Sequence, residues 1–129
     1  MLDHIGIAVS AYERSKRFYQ TALAPLTITL LMEVTADQTD SGSAAAGFGA
    51  AGKPFFWIGS EAAPTTTVHV AFTAPSRRIV DEFYRAALRA GGRDNGAPGL
   101  RPHYHENYYG AFVLDPDGHN IEAVCHLPA

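Results

Sequence analysis

The chain predicts an α+β fold in which one β-α-β-β-β unit is used twice, and three observations carry that expectation. His69 lies 65 positions after His4, and the same offset carries Phe18-Tyr19 onto Phe83-Tyr84 and Ala22-Leu23 onto Ala87-Leu88. An offset shared by a strand-like stretch and the helix-like stretch behind it marks a repeated supersecondary unit. In both copies the residue pattern changes from period two to a helical period after the histidine. The length of 129 residues, with 47% hydrophobic and 18% charged content, suits one compact domain over residues 1–129.

The first strand runs from Asp3 to Val9. Ile5, Ile7 and Val9 share one face, while His4, Gly6 and Ala8 share the other. The bulky face can pack on helices, and the histidine has only small neighbours. Val68 to Thr73 repeats this design, with Val68, Val70 and Phe72 opposite His69, Ala71 and Thr73. A histidine among small residues on two matching strands reads as a cavity wall.

A helix follows each strand. Ser10-Ala11-Tyr12-Glu13 is expected to form a capping box for the first, with Phe18/Ala22 and Tyr19/Leu23 as i,i+4 pairs. The second starts near Pro75-Ser76, buries Ile79, Phe83 and Ala87, and stops at Gly91-Gly92. Further strands are expected over Thr27–Val34, near Ala46–Phe48 and over Pro54–Gly59 in the first copy. The second copy should supply a short run near Arg101–His105, then Tyr108–Leu114 and Asn120–His126. Asp115-Pro116-Asp117-Gly118 joins the last two as a tight hairpin. Ala36–Ala46 is small and polar and reads as a mobile loop, with Gly91–Pro102 as its counterpart. The two modules then occupy about residues 1–60 and 66–129, joined through Glu61-Ala62-Ala63-Pro64.

Composition narrows the function classes. A net charge of −3 and the lack of a lysine-arginine cluster argue against nucleic acid. Arg77-Arg78, the one basic pair that stands out, falls on the exposed start of a helix. No apolar run reaches the roughly 20 residues that span a bilayer, so no membrane partner is expected. The single Cys125 excludes an internal disulfide, reads as a buried inert thiol, and with the absence of a leader-like start fits a cytoplasmic location.

Glu122 stands inside the apolar strand Asn120-Ile121-Glu122-Ala123-Val124. A carboxylate there is costly unless it is paired or bound to a metal. Together with His4 and His69 it makes a 2-His-1-carboxylate set, which leaves positions on a divalent metal open for substrate. The 65-residue offset maps Glu122 onto Trp57, so the first copy has indole where a fourth ligand would stand. Trp57 then reads either as an aromatic wall beside the metal or as core.

The repeat, the opening Asp3-His4-Ile5-Gly6-Ile7 and the closing Asp115-Pro116-Asp117-Gly118 with Ile121-Glu122 together resemble the vicinal oxygen chelate superfamily. That group includes glyoxalase I, bleomycin-resistance proteins, fosfomycin-resistance thiol transferases and extradiol dioxygenases. The resemblance covers essentially the whole chain. It implies paired βαβββ modules whose mixed sheet curves around a U-shaped cleft, with a divalent metal (Fe, Mn, Zn or Ni) on His4, His69 and Glu122. A homodimer is also implied, with the cleft formed either within one chain or by modules exchanged between chains.

The departures from the family pattern are Trp57, where glyoxalase I typically has a carboxylate or amide, and Phe112, where extradiol dioxygenases have a tyrosine. His103 falls at the acid-base histidine of the latter. It opens His103-Tyr104-His105-Glu106-Asn107-Tyr108-Tyr109, the densest polar-aromatic cluster of the chain. From it, His103, His105 and Tyr109 are the candidate catalytic residues. Phe55, Trp57, Tyr108 and Phe112 are the candidate walls of a substrate pocket.

Two functional expectations result. The first is a small metal-dependent enzyme, a lyase, isomerase or extradiol-type dioxygenase, acting on a small molecule that chelates the metal through neighbouring oxygens. The second is a metal-free binding protein that sequesters a small hydrophobic or aromatic ligand.

Overall fold

The computed structural model describes all residues from 1 to 129. Its elements in order are β1 (Ile5–Ala8), α1 (Tyr12–Ala22), β2 (Thr29–Val34), β3 (Ala45–Ala50), β4 (Lys53–Gly59), β5 (His69–Thr73), α2 (Arg77–Arg89), β6 (Arg93–Leu100), β7 (Tyr109–Leu114) and β8 (Asn120–Cys125). Two short 3-10 turns, Ala24–Leu26 and Ala36–Gln38, flank β2. The strands form two four-stranded mixed sheets, β1-β4-β3-β2 and β5-β8-β7-β6, with β1 parallel to β4 and β5 parallel to β8. This is the expected α+β pair of βαβββ modules forming a curved sheet.

The repeat extends to the register. Gly6 pairs with Trp57, and Trp57 with Gly47, in the first sheet. Ala71 pairs with Glu122, and Glu122 with Phe112, in the second. Every one of these positions is displaced by the same 65 residues. Side chains of β1 and β5 divide as the alternation requires: Ile7, Val9 and Phe72 are buried on the helix side, and His4, His69 and Ala71 are exposed.

Helix α1 buries Ser15, Phe18, Tyr19 and Ala22 along one stripe, and α2 buries Val80, Phe83, Ala86 and Ala87. Ser76 caps α2 by accepting the Ile79 N–H at 3.2 Å. The helix ends in a Schellman turn, with Gly92 N–H on Ala87 O, Gly91 N–H on Leu88 O, and Gly91 at φ +100° where only glycine is unstrained.

Three sequence expectations need correction. Ser10 does not cap α1; its N–H reaches the Asp117 carboxylate at 3.1 Å and its hydroxyl donates to the same group, so the residue ties the modules together. The sixth strand is Arg93–Leu100, inside the stretch read as a connection, while residues 101–105 are turn. Glycine and proline in Gly96-Ala97-Pro98-Gly99 hid it, and the strand accommodates them with two register shifts against β7. The Ala36–Ala46 segment also carries local order: Thr35 and Gln38 form a capping box over the first of its turns.

One buried cluster runs through both modules. At its centre Tyr19 meets Phe56 at 5.0 Å between ring centroids, and Phe56 meets Phe72 at 5.2 Å, both edge-on. The hairpin after β7 adds a polar clasp. Asp115, 1% exposed, accepts the N–H groups of Asp117 and His119 on one oxygen and the Tyr19 hydroxyl on the other, at 2.5 Å. His119 accepts the Val68 N–H on Nδ1 at 3.1 Å and donates from Nε2 to Ala8 O at 2.8 Å. A neutral imidazole thus fastens the start of β5 to the end of β1.

Burial, followed by the Asp115 carboxylate, raises the Tyr19 hydroxyl well above its ordinary pKa of 10.0. Tyr19→Phe leaves an Asp115 oxygen unpartnered and is expected to lower the unfolding free energy by about 1–3 kcal/mol at pH 7, read from urea midpoints. Because the folded-state pKa is the higher one, this contribution is present below pH 10 and is lost as the pH rises further. The gap between wild type and variant should therefore narrow in alkali.

Candidate functional site

Glu122 is the centre of the second sheet's helix-free face. It lies between Ala71 and Phe112 in register and is 1% exposed. Its Oε1 is 2.8 Å from His69 Nε2, and its Oε2 accepts the Tyr108 hydroxyl. His69, by contrast, leaves 52% of its side chain in solvent. The pair is a sunken carboxylate under an accessible imidazole. Burial, and then the carboxylate itself, raise the Tyr108 hydroxyl pKa, so Tyr108 is a proton donor at neutral pH.

Space for this carboxylate depends on Gly110. A Cβ built there would stand 3.1 Å from the Tyr108 ring and 3.2 Å from Glu122 Oε2. Phe112 walls the site beside His69, their rings 6.0 Å apart. Arg101, which carried no signal in the sequence, lies over Phe112 with its guanidinium carbon 5.0 Å from the ring centroid.

His4 is not part of this contact set. Its Nδ1 is 2.7 Å from Asp3, whose carboxylate also holds Lys53 Nζ at 2.8 Å. Strands β1 and β5 pass each other in opposite directions, since His119 joins Ala8 to Val68 and a cavity of about 380 Å³ is lined by His4, Phe55 and Thr73. His4 stands at the Thr73 end and His69 at the Ala8 end. At about 3.3 Å per residue the two histidines are on the order of 10 Å apart along the strands. Thus the structure brings His69 and Glu122 together and leaves His4 apart.

Trp57 occupies on the first sheet the place that Glu122 has on the second. Its ring covers Gly47: a Cβ at that glycine would come within 2.8 Å of the indole. Beside it a shallow groove of about 240 Å³ is lined by small residues, among them Gly6, Ala8 and Ala45. The indole is half-buried at that face and lies outside the buried core.

The polar-aromatic segment divides. Tyr108 turns to Glu122, whereas Tyr109 donates to Asp81 of α2 at 2.7 Å and faces the helices. Tyr109, expected at the site, is therefore on the wrong side of the sheet to reach it, because adjacent strand residues alternate. His105 packs edge-on against His126 at 5.5 Å, and His126 against Tyr108 at 5.3 Å. His103 stacks on exposed Tyr104 at 4.2 Å and has no contact with Glu122.

A third constellation has three ligand-type side chains within 4.8 Å of one another: Asp115, Asp117 and His119. This possible metal-binding group is the clasp between modules. Both Asp115 oxygens, both His119 nitrogens and both Asp117 oxygens already have protein partners. Every one of these atoms takes part in holding the fold.

Comparison with known proteins agrees with this architecture. Residues 1–123 match the family model of the Glyoxalase/Bleomycin resistance protein/Dioxygenase superfamily, and the chain belongs to that superfamily. The crystal structure of a glyoxalase/bleomycin resistance protein from Albidiferax ferrireducens T118 is similar at 26% identity and a TM-score of 0.78, over 98% of this chain and 99% of that one. Glyoxalase I from Zea mays shares the fold at 23% identity and a TM-score of 0.74; the match covers 96% of this chain but 45% of the maize chain. A glyoxalase/bleomycin resistance protein/dioxygenase family enzyme from Burkholderia phytofirmans PsJN shares it at 18% identity and 0.69, over 97% and 98%. No curated protein sequence matches the chain.

Trp57 is the only tryptophan, so its environment can be read by fluorescence. Gly47→Val places side-chain atoms where the indole lies and should shift the emission to longer wavelength as the ring is displaced into solvent. Emission unchanged from wild type would mean that the ring does not rest on Gly47.

Proposed function

We propose that the protein is a small divalent-metal-dependent enzyme acting on a substrate that presents two neighbouring oxygens, and that His69, Glu122 and His4 hold the metal. The observation that carries this reading is the Glu122 carboxylate, buried in a sheet yet only 2.8 Å from an exposed imidazole nitrogen. Donor atoms about 3 Å apart suit neighbouring ligands of one ion at metal–ligand distances of about 2.0–2.2 Å. His4 is also prepared for ligation. A carboxylate on Nδ1 fixes its tautomer and leaves the Nε2 lone pair free, as metal-bound histidines usually require.

Because His4 and His69 stand at opposite ends of their strands, the third ligand comes from the His4 of a second copy, and the working unit is a homodimer. A divalent ion so held supplies Lewis acidity to the substrate oxygens. The chain's own residues do the rest. The Tyr108 hydroxyl, which donates to Glu122 Oε2, can turn its hydrogen bond toward a substrate oxygen. His105, linked to Tyr108 through His126, is the proposed acid-base group, ahead of the more remote His103. Trp57, Phe55 and Phe112 exclude water from the substrate. Isomerase, lyase and extradiol-type dioxygenase chemistry all use such a site.

Metal analysis of untagged protein tests the reading. About one ion per chain is expected, with loss in His69→Ala and Glu122→Ala. Absence of metal after supply of Fe, Mn, Zn and Ni overturns it and leaves sequestration of an aromatic ligand between Trp57 and Phe55. Mixed dimers of His4→Ala and Glu122→Ala chains test the shared site: one intact site per dimer should restore about half the metal, whereas a site within one chain stays empty in both.

A further inference from the structure

Arg101 is a cation without a counter-ion. No carboxylate lies within ion-pair distance of it. Backbone carbonyls hold it instead. Nη1 donates to Gly99 O at 2.8 Å and to Gly110 O at 2.5 Å, and Nη2 donates to Ala97 O at 2.9 Å. A guanidinium has five N–H donors, so the Nε–H and one Nη2–H have no protein acceptor. The flat face rests on Phe112, which shares the sheet face of Glu122 and His69. The two ring-to-group distances, 5.0 and 6.0 Å, bound the separation of Arg101 from the His69 ring at 11 Å.

We infer that Arg101 is a substrate-binding residue, and that the substrate carries an anionic group, a carboxylate in the simplest case, set apart from the two metal-chelating oxygens. This rests on the proposed chelating site and adds a second point of recognition to it. The fork is immobilised before any ligand arrives, so little side-chain entropy is lost on binding an anion. Two free N–H groups on one planar head match the two oxygens of a carboxylate.

Calorimetric titration with catechol and with 3,4-dihydroxybenzoate isolates the effect. Both present the same two oxygens, and the second adds a carboxylate on the far side of the ring. Wild-type protein loaded with Mn or Zn should bind 3,4-dihydroxybenzoate about tenfold or more tightly than catechol. Arg101→Gln should abolish that advantage while catechol affinity stays constant, the control that β6 and β7 remain in place. Arg101→Lys keeps the charge but loses the fork, and should retain only part of it.

Absence of any carboxylate-dependent gain in wild-type protein overturns the role of Arg101, and so does a gain that survives Arg101→Gln. Failure of the chelating reading is distinguishable. There catechol binds metal-loaded and metal-free protein alike, while the carboxylate effect still follows Arg101.

Discussion

Putting one carboxylate into the middle of a sheet constrains everything around it. An ionised group in low dielectric is destabilised by several kcal/mol unless charge and hydrogen bonds compensate it. Glu122 draws that compensation from two separate pieces of chain. His69 comes from the parallel neighbour β5, and Tyr108 from the turn that precedes β7. Gly110, on the adjoining strand, withholds a side chain so that all three fit. The same Gly110 offers its carbonyl to Arg101, which places a guanidinium on the rim. The polar centre of this face, its aromatic wall and its cationic edge thus descend from one buried charge.

Asp115 shows what the same chemistry looks like when it serves only the fold. It too is a carboxylate with 1% exposure near an imidazole. Yet both of its oxygens point at donors that cannot leave, two backbone N–H groups and a buried phenol. Judged by the number of ligand-type side chains close together, the Asp115–Asp117–His119 group is the better metal site. Judged by how readily its hydrogen-bond partners can give way, it is the poorer one. Glu122 has an imidazole in solvent above it, and a ligand can displace that hydrogen bond without unfolding anything.

How far the sequence could be read follows from which physical rule was in command. Where alternation and the 65-residue offset act together, as at His4, His69 and Glu122, the sequence places each side chain on the observed face, but not the distance between His4 and the other two. Strand β6 was missed because local glycine and proline outweighed the offset: β2 displaced by 65 residues falls on 94–99, within the observed Arg93–Leu100. Tyr108 shares the parity of Phe112 and so the pocket face the sequence assigns to both, whereas Tyr109, one residue on, points to the helices. Ser10 was read by a local capping rule, but its partner is more than 100 residues away. Arg101 has no local signature at all, because its backbone partners on β6 and β7 come together only in the fold.

The asymmetry between the modules is an exchange of bulk, and not simply the loss of a ligand. In the first sheet a large aromatic, Trp57, lies against Gly47; in the second the smaller Glu122 lies against Phe112. The two cross-strand pairs occupy corresponding positions, and each contains one ring. The ring is supplied by β4 in one module and by β7 in the other. A carboxylate at position 57 alone would not recreate the second module's site, because Gly47 would leave its flank open to water and Ser43 stands where the second module has Tyr108. At this register position the first module presents an indole and the second a carboxylate. A substrate held between them would meet an apolar plane on one side and oxygen-binding chemistry on the other.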